Sequence, residues 1–132
     1  MSIPLLCIAL LAMLGLVLGL LVSLTRAKSE TVIGNSVSAE DPLHKVVRAH
    51  GNAMEYIPIL ALLMFILAQF SVSQWVVWCM ILATVFRYLH AAGMIIPATM
   101  AKPNILRFIG ALGTYITGFG LCVALLFIAI AQ

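Results

Sequence analysis

The chain has 132 residues, 64% of them hydrophobic and 8% charged, with a formal net charge of +3 and a mean hydropathy of +1.21. A water-soluble domain of that length cannot hide so much apolar surface, so the composition excludes one and makes lipid the solvent. The sequence pI near 9.0 would suggest a nucleic-acid partner in a soluble chain; here membrane topology accounts for the cations, and no nucleic-acid partner is expected.

Crossing a bilayer takes about 20 helical residues, and four apolar runs are long enough. They are expected at residues 3–25, 43–70, 74–96 and 103–131, with a connection at 26–42. The fold class that follows is an all-α integral membrane protein, an up-down bundle of four transmembrane helices forming a single domain over residues 1–132. The first run starts at Met1-Ser2-Ile3-Pro4 with no basic segment and exceeds the ~7–15 residue core of a signal peptide, so it reads as a retained anchor. Gly15 and Gly19 in it form a G-x-x-x-G spacing that lets helix backbones approach closely. The connection carries mixed charge and Gly34-Asn35-Ser36, which fits either an ordered cap or a mobile lid.

Asp41 before Pro42 is a helix start signal: the carboxylate accepts from orphan amides, and proline loses nothing at the first helical position. The second span then holds the most polar face of the chain. At about 100° per residue, Arg48, Asn52 and Glu55 fall within roughly 60° of one another. Charged groups at the bilayer centre cost about 2.5–3.5 kcal/mol each on insertion scales, so they turn toward a partner, a cavity or a ligand. Plainer readings are a snorkelling Arg48 and an Arg48–Glu55 salt bridge that fixes packing. Pro58 removes a hydrogen bond to the Met54 carbonyl and predicts a kink beside Glu55; proline is tolerated in membrane helices, and a bend also makes room for a ligand.

Ser71 and Gln74 have capping-box spacing for the third helix, and Trp75, Trp78 and Tyr88 read as interface anchors. Arg87 and His90 lie three apart on one face, although a single membrane histidine is more often a hydrogen-bonded interhelical residue than a catalyst. Pro97 and Pro103 bracket a short connection. In the fourth span Gly110, Thr114 and Gly118 repeat a small residue at every fourth position. The three cysteines, Cys7, Cys79 and Cys122, lie singly in different spans, which suggests neither a disulfide framework nor a metal site. All seven cations, Arg26, Lys28, Lys45, Arg48, Arg87, Lys102 and Arg107, gather at or toward two of the three connections. By the positive-inside rule those connections face the cytoplasm and both termini face outward.

The run Arg48-Ala-His-Gly-Asn52-Ala-Met-Glu55-Tyr56-Ile-Pro58 resembles the second-helix signature of the MAPEG superfamily, membrane-associated proteins in eicosanoid and glutathione metabolism, especially its short bacterial members. Arg87-Tyr-Leu-His90 is similar to the third-helix Arg-x-x-His of that family. The resemblance implies a homotrimer in a bacterial inner membrane, with glutathione as cosubstrate in clefts between subunits and a lipophilic small molecule as second substrate. It further implies that Arg48, Asn52, Glu55 and Tyr56 hold the tripeptide, with Arg87 and His90 on a second wall. Arg107 resembles the fourth-helix arginine that serves the thiolate, although the segment before it is several residues longer here. Where relatives often have a tyrosine four residues beyond His90, this chain has Met94.

Three function classes follow. A transferase or peroxidase acting with glutathione is favoured by the second-helix match. A non-catalytic binding or scaffold protein of the same fold is favoured by Met94 and the displaced Arg107. A small proton-coupled exporter would want an acid in the first span, which has none.

Overall fold

The computed structural model describes residues 2–131. Its regular elements are four helices, α1 Ile3–Lys28, α2 Pro42–Leu67, α3 Gln74–Ile95 and α4 Ile105–Ala131, and no strand occurs among the described residues. At about 1.5 Å per residue, helices of 22 to 27 residues exceed a hydrocarbon core of ~30 Å. All four are long and apolar enough to cross a membrane, which makes the chain an integral membrane protein.

The helix ends follow local chemistry, with some departures from expectation. Asp41 caps α2 as expected, its carboxylate accepting from the Leu43 and His44 amides at 3.3 and 3.2 Å. The helix stops at Leu67, and Ala68 to Phe70 form a turn in place of a last helical turn. The expected capping box of α3 does not form: Ser73, not Ser71, is the N-cap, and its side chain makes no capping bond. In α4 the start moves from residue 103 to Ile105, because Asn104 Oδ1 accepts from the Arg107 amide at 3.1 Å and takes the capping position.

The bundle is asymmetric. α4 packs chiefly on α3 and α1 chiefly on α2, while α1 and α4 do not meet among the described residues. Leu11 and Leu18 of α1, Met64 of α2, Met80 of α3 and Leu121 of α4 are completely buried in the shared core. Gly15 and Gly19 admit Met54 and His50 of α2, so the first small-residue spacing serves packing within the subunit. Of the α4 glycines, Gly110 is the one pressed against backbone: an added Cβ there would meet the His90 amide nitrogen at 2.5 Å. At Gly118 the nearest atom, in Leu60, would be 3.6 Å away, an ordinary contact. Tyr88 donates its hydroxyl to the Leu10 carbonyl at 2.8 Å and links α3 to α1.

The two basic connections are fastened together. The Met100 amide donates to the Ala39 carbonyl at 2.9 Å, and Lys45 Nζ reaches the Ile95 and Pro97 carbonyls at the end of α3. Glu40 completes the clasp, accepting from the Ser38 and Thr99 hydroxyls at 2.8 Å each. Those donors, Ser38 first and then Thr99, hold the Glu40 carboxyl below its ordinary range. A depressed carboxyl stabilises the clasp fully above its unfolded pKa, and that contribution disappears as pH falls through the lowered folded value. The protection factor of the Met100 amide, taken against the intrinsic exchange rate at each pH, is therefore expected to fall on acidification through that range. In Glu40→Gln that fall in protection is expected to be absent, and the same fall persisting in the variant would remove Glu40 as the cause.

Candidate functional site

Arg87 is the centre of the polar constellation. Its long side chain is only 2% exposed, although it starts near the middle of a membrane helix. The guanidinium Nη2 donates to Asn52 Oδ1 at 2.6 Å and to the Asn52 carbonyl at 3.3 Å. Its Cζ lies 4.7 Å from the Tyr56 ring centroid, a stacking cation–π contact between α3 and α2. The Nε has no partner, the one such buried side-chain atom among the described residues. Burying a guanidinium in this way is unfavourable, which makes the residue a candidate for a functional role.

Around it Asn52, Tyr56, His90, Thr114 and Tyr115 line a chamber of about 100 Å³ between α2, α3 and α4. The Tyr56 and Tyr115 hydroxyls are 2.6 Å apart, which ties α2 to α4 at the chamber edge. His90 Nδ1 lies 2.9 Å from the Arg107 carbonyl. A carbonyl oxygen only accepts, so Nδ1 carries a proton and donates it to this bond. His90 also lines a wider recess of about 770 Å³ with Pro103, Asn104, Arg107 and Phe108, so the same imidazole borders both spaces. An apolar groove of about 210 Å³ between α2 and α4 shares Tyr56, Thr114 and Tyr115 with the chamber.

The structure thus brings Asn52, Tyr56, Arg87 and His90 together. It does not bring Arg48 and Glu55 into that chamber: both are exposed on the outer face of α2, and neither forms a hydrogen bond or ion pair among the described residues. The Arg48–Glu55 salt bridge is therefore not made. Helix geometry explains the split, since Asn52 and Tyr56 lie at one edge of the polar stripe, toward α3 and α4, and Arg48 and Glu55 at the other. Arg107 is half-buried, with Nη1 and Nη2 donating to the Met100 and Lys102 carbonyls at 3.0 and 3.2 Å. Met94 lies in the buried core.

Tyr115 and Thr114 were not singled out as site residues from the sequence. A signal existed for the first: a tyrosine inside an otherwise apolar membrane helix must place its hydroxyl against a partner. Among the described residues no three His, Cys, Asp or Glu side chains converge on a point that would hold a metal ion. In comparison with known proteins, the model of the MAPEG family matches residues 4–127 of the chain. No curated protein and no solved structure matches it.

Proposed function

The chain belongs to the MAPEG family, and from that premise we propose that it binds glutathione or a similar thiol between subunits and conjugates or reduces lipophilic electrophiles or hydroperoxides. The observation that carries this reading is the buried Arg87, held on Asn52 and Tyr56, beside a membrane-helix stripe whose Arg48 and Glu55 have no partner among the described residues. Unpaired charges on a lipid-facing surface are costly, so a second copy of the chain covers them, in the homotrimer that family membership suggests. The chamber of about 100 Å³ is small beside ligand pockets of ~300–1,000 Å³. One end of a tripeptide enters it, and the remainder lies along the outer stripe under the neighbouring subunit.

Glutathione offers two carboxylates, an ammonium and two amides. Arg48 fits a carboxylate with its planar fork, Glu55 fits the ammonium, and the Asn52 side chain fits an amide. Tyr56 and Arg87 form the chamber wall, and His90 positions the α4 backbone through Arg107. The thiolate is the nucleophile, and a cation beside sulfur favours it. Arg107, lining the wide recess with His90, is the residue we assign to that task. In conjugation the thiolate sulfur bonds to an electrophilic carbon and the leaving group departs with its electron pair. The site would then lie on the cytoplasmic side of a bacterial inner membrane, where the basic connections face, with both termini outward.

Calorimetric titration of detergent-purified protein with glutathione is expected to give heat for the wild type, and markedly less for Arg48→Ala and Glu55→Gln. Equal, undetectable heat in all three would remove the reading. Conjugation of an aromatic chloride is expected to be lost in Arg107→Ala. A second reading, a binding protein without turnover, is favoured by the engagement of both Arg107 terminal nitrogens with loop carbonyls. Heat with glutathione but no conjugation in the wild type would select it.

A further inference from the structure

The α1–α2 connection carries three aliphatic side chains that the bundle does not use. Val32, Ile33 and Val37 are 86%, 89% and 93% exposed, more than any other large hydrophobic residue of the described chain. A cluster of this kind in a short connection indicates a surface that something apolar covers.

The geometry of the connection says what that is. α1 has 26 residues and so runs about 39 Å, longer than a hydrocarbon core of ~30 Å. Its last turn, with Arg26 and Lys28, therefore lies among lipid headgroups. The connection does not extend away from that turn. Arg26 Nη1 donates to the Gly34 carbonyl at 2.7 Å and to the Val32 carbonyl at 3.4 Å, and the Thr31 amide donates to the Arg26 carbonyl at 3.2 Å. Left-handed backbone at Glu30 (φ 50°) and Gly34 (φ 78°) bends the chain into this shape. On its other side Asn35 Nδ2 lies 2.8 Å from His44 Nδ1 in the first turn of α2. The segment is tied to the terminal turns of two membrane helices, at the depth of the headgroups. Leu20 and Leu24, both more than half exposed, carry the lipid face of α1 down to the same turn.

We propose that residues 32–37 form an interfacial anchor, with Val32, Ile33 and Val37 set into the boundary between headgroups and acyl chains beside α1. The partner is the bilayer surface itself, as for other monotopic segments that lie in the interface plane. Arg26 acts as the strap that presents these side chains to lipid. The inference is independent of the thiol site and stands whether or not the chain is an enzyme.

The test places a polarity-sensitive nitrobenzoxadiazole label at Ile33→Cys in protein lacking its own cysteines (Cys7→Ala, Cys79→Ala, Cys122→Ala). The protein is reconstituted in phosphatidylcholine vesicles, and label at Lys102→Cys in the other connection serves as the water reference. The Ile33 label is expected to emit at shorter wavelength than the Lys102 label. Phosphatidylcholine brominated near the headgroup is expected to quench it more than lipid brominated deep in the chain. Emission matching the Lys102 label without quenching overturns the proposal. So does a blue shift that disappears when protein is diluted into excess lipid and that bromine never quenches, since that reports contact between copies. Ile33→Trp on a Trp75→Phe, Trp78→Phe background repeats the quenching measurement with all cysteines intact, in case the cysteine-free protein does not fold.

Discussion

Replacing Arg87 and its partner together, as Arg87→Met with Asn52→Leu, is expected to leave the thermal midpoint unchanged or raise it while abolishing the heat of glutathione binding. A guanidinium at membrane depth costs about 2.5–3.5 kcal/mol, and its unpartnered Nε adds roughly 1–3 kcal/mol. Against this, the bonds to Asn52 return about 1.5–3 kcal/mol and the Tyr56 stack up to ~2 kcal/mol. The two sides nearly cancel, so the pair contributes little to holding the fold. The single change Arg87→Met is expected to lower the midpoint, because it strands the Asn52 oxygen at a cost of roughly 1–3 kcal/mol. Thermal unfolding in detergent with calorimetry on the same samples checks all three proteins. A double variant that unfolds well below the wild type, or one that still binds glutathione normally, would show that Arg87 is there for packing.

Gly110→Ala is expected to be among the most damaging single-methyl additions in the chain, whereas Gly118→Ala is expected to be silent. At Gly110 the new Cβ would meet the His90 amide nitrogen at 2.5 Å and its Cα at 2.7 Å, both backbone atoms that cannot step aside. α3 and α4 must then separate, a cost of about 1–3 kcal/mol for overpacking, and His90 is drawn away from the Arg107 carbonyl. At Gly118 the nearest atom is the flexible end of Leu60 at 3.6 Å, which accepts a methyl group without movement. Comparing the unfolding midpoints of the two variants tests the assignment directly. Equal midpoints would mean that the α3–α4 approach is looser than the structure shows.

The two small-residue patterns show how far spacing alone can be read. Gly15 with Gly19 and Gly110 with Gly118 look equivalent as intervals, yet three of these four positions make ordinary or near-ordinary contacts and one has backbone pressed against it. Gly93 and Gly113, outside any counted interval, turn out to face Arg107 and the Phe86 ring just as closely. Interval counting finds small residues; which helix comes near them depends on crossing geometry.

The candidate site divides in the same way. That Arg48, Asn52, Glu55 and Tyr56 share a polar stripe on one membrane helix follows from the helical period. That Arg87 and His90 share a face follows likewise, as does the Asp41 start of α2. These are short-range facts, fixed by about 100° of turn per residue and by the need of apolar runs to leave water. Which end of the stripe meets the third helix is not a short-range fact. Asn52 and Tyr56 receive Arg87, while Arg48 and Glu55 stay outside, because α3 and α4 pack as a pair against one edge of α2.

Helix number, the membrane as solvent and the identity of the polar residues were thus written in residue order, since each depends on composition or on neighbours within a few positions. The chamber, the Tyr56–Tyr115 bond, the His90 tie to the Arg107 carbonyl and the Arg26 strap join residues on different helices or at a bend of the backbone. They exist because packing and left-handed turns carry distant atoms to within 3 Å of one another, a distance that no periodicity along the chain encodes.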